Sequence, residues 1–181
     1  QLRTVFNLIQ DLDELFQQYF PKAEGNPTIS YGISFTYYKY PLNEARSLSY
    51  AMEREAKSLR HKNAIAFQLR KHSGATFEAK FSKGQPEYDH FVKLISDLSV
   101  EKNFLSSMIH RLGFHTATLE MLLKMPKAEE RLKYFFDNNF DEAVHKEEKA
   151  FFERLIGFTQ ELYRTDPKAA LDKLNAALRF I

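Results

Sequence analysis

Two short motifs could hold a metal ion, because each pairs a carboxylate with an imidazole one helical turn later. They are Glu87-Tyr88-Asp89-His90 and Glu142-Ala143-Val144-His145. Ferritin-like di-iron proteins use two Glu-x-x-His motifs on a helical bundle, with one further Glu from each of two other helices. Here both motifs fall in the first turn of a predicted helix, whereas such a site needs them in mid-helix. A di-metal helical-bundle enzyme is therefore only an alternative interpretation, and we expect no tightly bound metal.

The sequence His72-Ser73-Gly74 could activate a nucleophile, because a His beside a Ser is part of the usual pairing for that chemistry. Neither an Asp nor a Glu is placed nearby in the sequence to orient the imidazole. The same residues suit a tight turn, where Ser and Gly serve the backbone. We therefore predict no catalytic role for His72, Ser73 and Gly74, and interpret them as a contact point for a neighbouring subunit or RNA.

A group of tyrosines could stack on nucleic acid bases. The group consists of Tyr31, Tyr37, Tyr38 and Tyr40, and Lys39 lies among them. Aromatic rings beside basic side chains are typical of single-strand binding surfaces. Alternate tyrosines on a strand are more often part of a core or a sheet surface, so the pattern alone does not indicate RNA.

These residues lie on three segments that alternate apolar and polar side chains, which predicts half-buried strands. The first covers 28–38, with one face formed by Ile29, Tyr31, Ile33, Phe35 and Tyr37. The second carries Ile65, Phe67 and Leu69 on one face, and the third carries Phe77, Ala79 and Phe81. A helix opened by Pro41 and ending near Ser58 separates the first two segments, and a short Gly-containing hairpin joins the last two. The sequence predicts a strand–helix–strand–strand unit, preceded by an amphipathic helix that ends before Pro21.

From Pro86 onward the apolar period changes to that of a helix and remains so. We predict five helices here, one of which runs from Phe104 to Leu123 without interruption at Gly113. Asn139, with Glu142 three residues later, predicts a capped start for the fourth. The fold class is therefore α+β, with residues 1–84 forming the end of a small sheet domain and residues 85–181 an all-α helical bundle.

Composition limits the possible functions. The chain has 181 residues, 44% of them hydrophobic, with 17 Phe and a formal net charge of +2. This favours a packed core and gives no strong electrostatic field for nucleic acid or membrane. The absence of Cys excludes disulfides and thiolate zinc sites and favours a reducing cytoplasm. The sequence contains no apolar run of membrane-spanning length, so we expect no membrane partner.

Several pieces of the first half resemble a nucleotidyl-cyclase palm domain of the GGDEF type. They are Ser30-Tyr31-Gly32-Ile33, Tyr38-Lys39-Tyr40-Pro41-Leu42, Ala56-Lys57, Lys62-Asn63-Ala64 and Lys71-His72-Ser73-Gly74. In this order they are similar to the second palm of the large subunit of type III CRISPR effector complexes (the Cas ten family, Cmr type). In that family they follow a Gly-Gly-Asp-Asp hairpin, which does not occur in this sequence. The resemblance therefore implies a C-terminal fragment that begins just past the hairpin, with the end of a ferredoxin-like palm (antiparallel sheet with helices) followed by a helical domain.

The resemblance also implies an antiviral function and a set of ligands. The parent protein would convert ATP, with magnesium held by the hairpin, into cyclic oligoadenylate when target RNA is bound. This chain alone would not catalyse the reaction and would bind no cofactor tightly. Lys57 and Lys62 match the two basic positions that reach the triphosphate in GGDEF cyclases, so they are the expected phosphate contacts. The implied partners are other subunits of the complex, including its small helical subunits, together with guide RNA and target RNA.

A different interpretation is an independent α+β module that binds protein or RNA and carries out no nucleotide chemistry. Such a module would be fully stable alone and would not respond to ATP. The nucleotide response therefore separates the two interpretations.

Overall fold

The computed structural model describes residues 2–20, 27–96, 102–139 and 149–181. Together these residues form eight helices and one three-stranded sheet, which confirms the predicted α+β class. The chain divides into two compact units, Gln1–Tyr88 and Asp89–Ile181. That these units are independent domains stays a prediction. The second half of the chain is helical throughout its described residues, as its apolar period predicts.

The first unit contains the predicted strand–helix–strand–strand arrangement. Its elements are α1 (Leu2–Tyr19), β1 (Tyr31–Thr36), α2 (Leu42–Ser58), β2 (Ala64–Arg70) and β3 (Thr76–Ser82). The strand order is β1-β2-β3, with β1 parallel to β2 and β2 antiparallel to β3. The sheet is mixed rather than antiparallel throughout, because α2 returns the chain so that β2 runs in the same direction as β1, whereas a short hairpin reverses it into β3.

Helix α2 packs on the face of β1 that carries small and hydroxyl side chains. A Cβ atom at Gly32 would overlap the backbone nitrogen of Glu53 and the carbonyl oxygen of Ser49, so only glycine fits there. The Ser34 hydroxyl donates to the Ala45 carbonyl at 2.8 Å and lies 2.8 Å from the Ser49 hydroxyl. The small side chains of β1 therefore let the helix backbone approach the strand directly.

An apolar layer completes this contact and fixes the end of α2. Met52 and Ala56 of the helix are buried with Ala64 and Ala66 of β2, and Leu59 packs against them. Because these side chains lie in the last two turns of α2 and at the start of β2, they hold the helix C-terminus over the entry to the strand.

Helix α1 contacts the aromatic face of the sheet. Phe6 meets Phe67 edge-on at a centroid distance of 5.9 Å, and Phe67 lies 5.9 Å from Phe81. Phe67 and Phe81 are fully buried. Successive strand residues point to opposite faces, so the Phe67 face is distinct from the Ala66 face that α2 covers. The sheet therefore has a helix against each of its faces.

The second unit is built around phenylalanines from several helices. The helices of this region are α3 (Pro86–Ser96), α4 (Lys102–Phe114), α5 (Thr116–Lys124), α6 (Ala128–Asn139), α7 (Lys149–Thr165) and α8 (Ala170–Phe180). Phe91 of α3 lies 6.2 Å from Phe158 of α7. Phe152 of α7 meets Phe104 at 5.4 Å and Phe136 at 5.6 Å. Helix α7 is therefore the element that the neighbouring helices share.

The uninterrupted helix predicted from Phe104 to Leu123 is wrong. The structure has two helices, α4 and α5, with a break at His115, whose φ is −99° and ψ is 19°. The Thr116 hydroxyl donates to the Gly113 carbonyl at 2.8 Å, which offers the backbone an alternative to the helical bond. The apolar period continues across the break, so the pattern alone could not reveal it. The predicted cap at Asn139 and Glu142 lies outside the described side chains.

No helix in the described part of the chain has both the length and the apolar character needed to cross a membrane.

Candidate nucleotide-binding site

Lys57 lies in the last turn of α2, where its side chain is 54% exposed. Its Nζ is 2.5 Å from the Oε1 atom of Glu53, which precedes it by one helical turn. A solvent-exposed pair of this spacing contributes only a few tenths of a kcal/mol. The ammonium group can therefore exchange the Glu53 carboxylate for a more highly charged anion at little cost.

Lys62 lies in the connection between α2 and β2, and its side chain is exposed. Its φ is 51° and that of His61 is 71°, so two consecutive non-glycine residues adopt the left-handed conformation. Each such residue costs of order 1–3 kcal/mol and persists only where the surrounding structure holds it. This connection is therefore a constrained segment rather than a free loop.

Two hydroxyl groups from the residues that lead into β1 hold the connection. The Thr28 hydroxyl lies 3.4 Å from the Lys62 carbonyl and 3.5 Å from the His61 carbonyl, as a donor to both. The Ser30 hydroxyl also donates to the Lys62 carbonyl. These bonds fix the backbone of the residue whose side chain is the candidate phosphate ligand. Sequence reasoning gave Thr28 and Ser30 no such role.

A third support comes from the residue that follows β3. The Lys83 amide donates to the Asn63 carbonyl at 2.8 Å, and the Asn63 side-chain amide lies 3.5 Å from the Lys83 carbonyl as a donor. The segment from His61 to Asn63 is therefore held from both neighbouring strands. A basic segment with a fixed backbone is preorganised for an anion, because little conformational freedom is lost on binding.

The Lys83 side chain forms a nearly enclosed ionic cluster with Asp13 and Tyr31. Its Nζ lies 2.6 Å from both Asp13 carboxylate oxygens and 4.5 Å from the centre of the Tyr31 ring. The Tyr31 hydroxyl donates to Asp13 at 3.0 Å. The Lys83 side chain is 6% exposed, and this burial lowers its pKa although Asp13 acts in the opposite direction. Burial and the Asp13 carboxylate both raise the pKa of Tyr31.

This cluster connects α1 to β1 and to the end of β3, at the end of the sheet that carries Thr28, Ser30 and Lys62. Sequence reasoning missed it, because Asp13 and Lys83 are separated by 70 positions and neither belongs to a local motif. The only indication of the cluster in the sequence is the alternation in residues 28–38, which places Tyr31 on the apolar face of β1. In the structure this face lies towards α1.

His72, Ser73 and Gly74 lie in the hairpin between β2 and β3, at the other end of the sheet. β2 has seven residues, so this hairpin is about 20 Å from the Lys62 segment. Gly74 has a φ of 84°, and the Lys71 amide donates to the Ala75 carbonyl at 2.9 Å. The His72 ring meets the Tyr37 ring at 4.9 Å. The structure therefore keeps the hairpin residues apart from the two candidate phosphate ligands.

The described residues do not include a group of three or more His, Asp or Glu side chains that could hold a metal ion. Glu87 is buried in the first turn of α3, and the His90 ring packs within 3.2 Å of the position a Cβ would take at Gly157. The second motif, Glu142 to His145, lies outside the described residues.

The comparison with known proteins gives one match. Residues 1–66 match the family model of Cas10/Cmr2, second palm domain. The match covers α1, β1, α2 and the connection that carries Lys62, and ends within β2. Neither a curated protein nor a solved structure matches the chain.

Proposed function

Because the chain belongs to the Cas10/Cmr2 family of type III CRISPR large subunits through its second palm domain, we propose that its first unit forms one wall of a nucleotide site. In this proposal Lys57 and Lys62 contact the phosphates of ATP. Basic side chains suit this role because they balance the charge of a triphosphate.

The observation that carries the proposal is the constrained basic segment from His61 to Asn63. Its backbone is held by the Thr28 and Ser30 hydroxyls and by the Lys83 amide. Left-handed backbone at two non-glycine residues is the kind of local strain that accumulates at ligand sites. Lys57 stands on the other side of the short turn that ends α2, and the buried Met52 and Ala56 fix that end of the helix.

The proposed role is limited to binding and orienting the phosphates. The sequence contains no Gly-Gly-Asp-Asp motif, and the described residues include no cluster of three or more His, Asp or Glu side chains that could hold a metal ion. When bound, magnesium would neutralise phosphate charge and orient the reacting oxygens. We assign no residue of this chain to that ion. In the complete large subunit, the reaction that this wall serves would be synthesis of cyclic oligoadenylate from ATP after target RNA binds.

Membership of the family implies a multi-subunit complex, and we propose that both units of this chain contribute to assembly. The helical unit would pack near the small helical subunits and the guide–target duplex. The hairpin residues His72, Ser73 and Gly74 are exposed, as a contact point for RNA or another subunit requires.

The test is conversion of ATP by the complete type III complex carrying Lys57→Ala in the large subunit. Lys80→Ala is a matched control, because Lys80 also pairs with an α2 carboxylate, that of Glu55 at 2.9 Å, and is 42% exposed. The proposal predicts a lower rate for Lys57→Ala and an unchanged rate for Lys80→Ala, with target RNA binding intact in both. Equal rates in the two variants would show that Lys57 is an ordinary surface lysine.

A further inference from the structure

A second surface lies at the end of the sheet opposite to the Lys62 segment. In the strand register Thr36 pairs with Arg70, and Arg70 pairs with Thr76. The turn 37–40 that follows β1 and the hairpin 71–75 that joins β2 to β3 must therefore emerge side by side. We call the residues of these two segments, together with Arg70, the tyrosine surface.

Aromatic rings from both segments are in contact on this surface. The Tyr37 ring lies 5.5 Å from Tyr40 and 4.9 Å from His72, edge-on in both cases. The Tyr40 amide donates to the Tyr37 carbonyl at 2.9 Å, which closes the turn. Tyr38 sits at the tip of this turn and is 90% exposed. The contacts give the turn a fixed shape and leave one large ring facing solvent.

Positive charges flank these rings. The Arg70 guanidinium lies 5.3 Å above the Tyr40 ring, and the Lys39 ammonium lies 5.4 Å from the Tyr38 ring. Lys71 is exposed at the start of the hairpin, with its ammonium 5.7 Å from the Phe77 ring. One carboxylate is also near, since desolvation and the Glu44 carboxylate both contribute to raising the pKa of the Tyr40 hydroxyl. Three permanent cations therefore share the surface with one acid.

Tyr38 presents nearly all of its ring to solvent, next to the Lys39 ammonium. Burial of a tyrosine ring is favourable because it removes a large apolar area from water. A ring that is nearly fully exposed beside a cation can therefore contribute this free energy to the binding of a ligand. A ligand that matches this pattern presents a flat π-face to Tyr38 and anionic groups to Lys39, Lys71 and Arg70. Unpaired nucleotides have both, with one phosphate per base.

We propose that the tyrosine surface binds an unpaired stretch of nucleic acid, with a base stacked on Tyr38 and backbone phosphates on Lys39 and Lys71. This site is separate from the nucleotide site by the length of β2. It would therefore remain if Lys57 proved to have no role. RNA and DNA offer the same base and phosphate chemistry, and the experiment below distinguishes them.

Fluorescence anisotropy with labelled 15-nucleotide oligo(U) and oligo(dT) and the full 181-residue chain tests the proposal. Removing one stacked base contact typically costs ~1–3 kcal/mol, so Tyr38→Ala should weaken binding by roughly five- to a hundredfold. Tyr38→Phe keeps the ring and should bind like the wild type. Lys39→Ala/Lys71→Ala should weaken binding and lower the slope of log affinity against log salt by about 1.4, or ~0.7 per phosphate contact on a single strand.

Two control variants define specificity. Tyr134→Ala removes another exposed tyrosine, 72% exposed on α6, and Lys80→Ala removes a lysine that is 42% exposed and belongs to neither proposed site; neither should change the affinity. Preference for oligo(U) would identify RNA as the ligand, and equal affinity would identify a general single-strand surface. Wild-type binding as weak as that of Tyr38→Ala would overturn the proposal, provided that thermal unfolding shows both proteins folded. Equal competition by poly-glutamate would also overturn it, in favour of an acidic protein partner.

Discussion

At the residue scale, the stability of the nearly enclosed Lys83 side chain depends on two neighbours, Asp13 and Tyr31. A nearly enclosed ammonium group is tolerated because Asp13 accepts two bonds from it and the Tyr31 ring lies below it. Removing only the lysine would leave the Asp13 carboxylate in a partly buried position with Tyr31 as its partner. Stranded charges of this kind are costly, whereas removing both charges together is often nearly neutral.

We therefore predict that Lys83→Met lowers the free energy of unfolding by about 1–3 kcal/mol, less than for a fully buried pair because Asp13 is 31% exposed. The double variant Asp13→Asn/Lys83→Met keeps an acceptor for the Tyr31 hydroxyl and should recover to within about 1 kcal/mol of the wild type. Urea denaturation followed by circular dichroism measures both. A double variant as unstable as the single one would mean that lost packing, rather than the stranded charge, causes the effect.

Local sequence patterns were enough to name the candidate ligands, but they did not predict the hydrogen bonds that hold the Lys62 segment in place. Lys57 and Lys62 stand beside the Ala and Asn that identify them in the resembling family, so they could be named from the sequence. The bonds that fix this segment come from distant residues: Thr28 and Ser30 reach the Lys62 carbonyl from 34 and 32 positions away, and Lys83 reaches Asn63 from 20 positions away. Contacts over such separations depend on strand register, and periodicity alone does not give register.

At the element scale, the contact between α2 and β1 decides where Lys57 lies. The helix rests on Gly32, and no other side chain can occupy that position without moving the backbone of Ser49 and Glu53. The sequence indicated a close approach at Gly32 but could not say whether a ligand or another backbone made it. The structure identifies the backbone of α2 as the partner.

Gly32→Ala should therefore destabilise the first unit, by about 1–3 kcal/mol or more, as overpacking typically does. Gly113→Ala is the matched control, because nothing lies within 4 Å of a Cβ at that helical position. It should be neutral or stabilise the protein by up to about 1 kcal/mol. Thermal unfolding of the two variants compares them directly. A Gly32→Ala protein that melts with the wild type would contradict the close packing of α2 on β1.

Strands and helices differed in how well the sequence predicted their boundaries. The existence of the three strands and the bounds of α2 were correctly predicted, because alternation and the flanking Pro41 and Gly74 mark them, but β1 covers only Tyr31–Thr36 of the predicted 28–38. The break between α4 and α5 was not predicted, because the apolar residues on both sides keep a helical period and the feature that accompanies the break is one bond from the Thr116 hydroxyl. A single side-chain bond of this kind has no periodic signature.

At the scale of the whole molecule, the two compact units differ in what they need for stability. The second unit buries a set of phenylalanines and leucines on its own helices, among them Phe91, Phe151, Leu155 and Phe158. The first unit rests on a three-stranded sheet in which β1 and β3 are both edge strands within the described residues. Small sheets with two open edges are marginal by themselves.

We predict that residues 86–181 fold alone and that residues 1–85 do not. The physical reason is that a helical bundle of this size supplies a continuous apolar core. Circular dichroism of the separately expressed segments measures the outcome as helical signal and as a cooperative thermal transition. A 86–181 segment without helical signal, or a 1–85 segment with a cooperative transition, would contradict the prediction.

The central claim is that Lys57 contacts a nucleotide phosphate, and calorimetric titration of the complete large subunit with ATP, ADP, AMP and adenosine tests it most directly. A charge-assisted contact contributes ~1.5–3 kcal/mol, so Lys57→Ala should weaken ATP binding by roughly ten- to a hundredfold. The loss should disappear for adenosine, which has no phosphate, and Lys80→Ala should follow the wild type for all four ligands. If Lys57→Ala and Lys80→Ala bind ATP with the same affinity, or if Lys57→Ala weakens adenosine as much as ATP, Lys57 does not contact the phosphates.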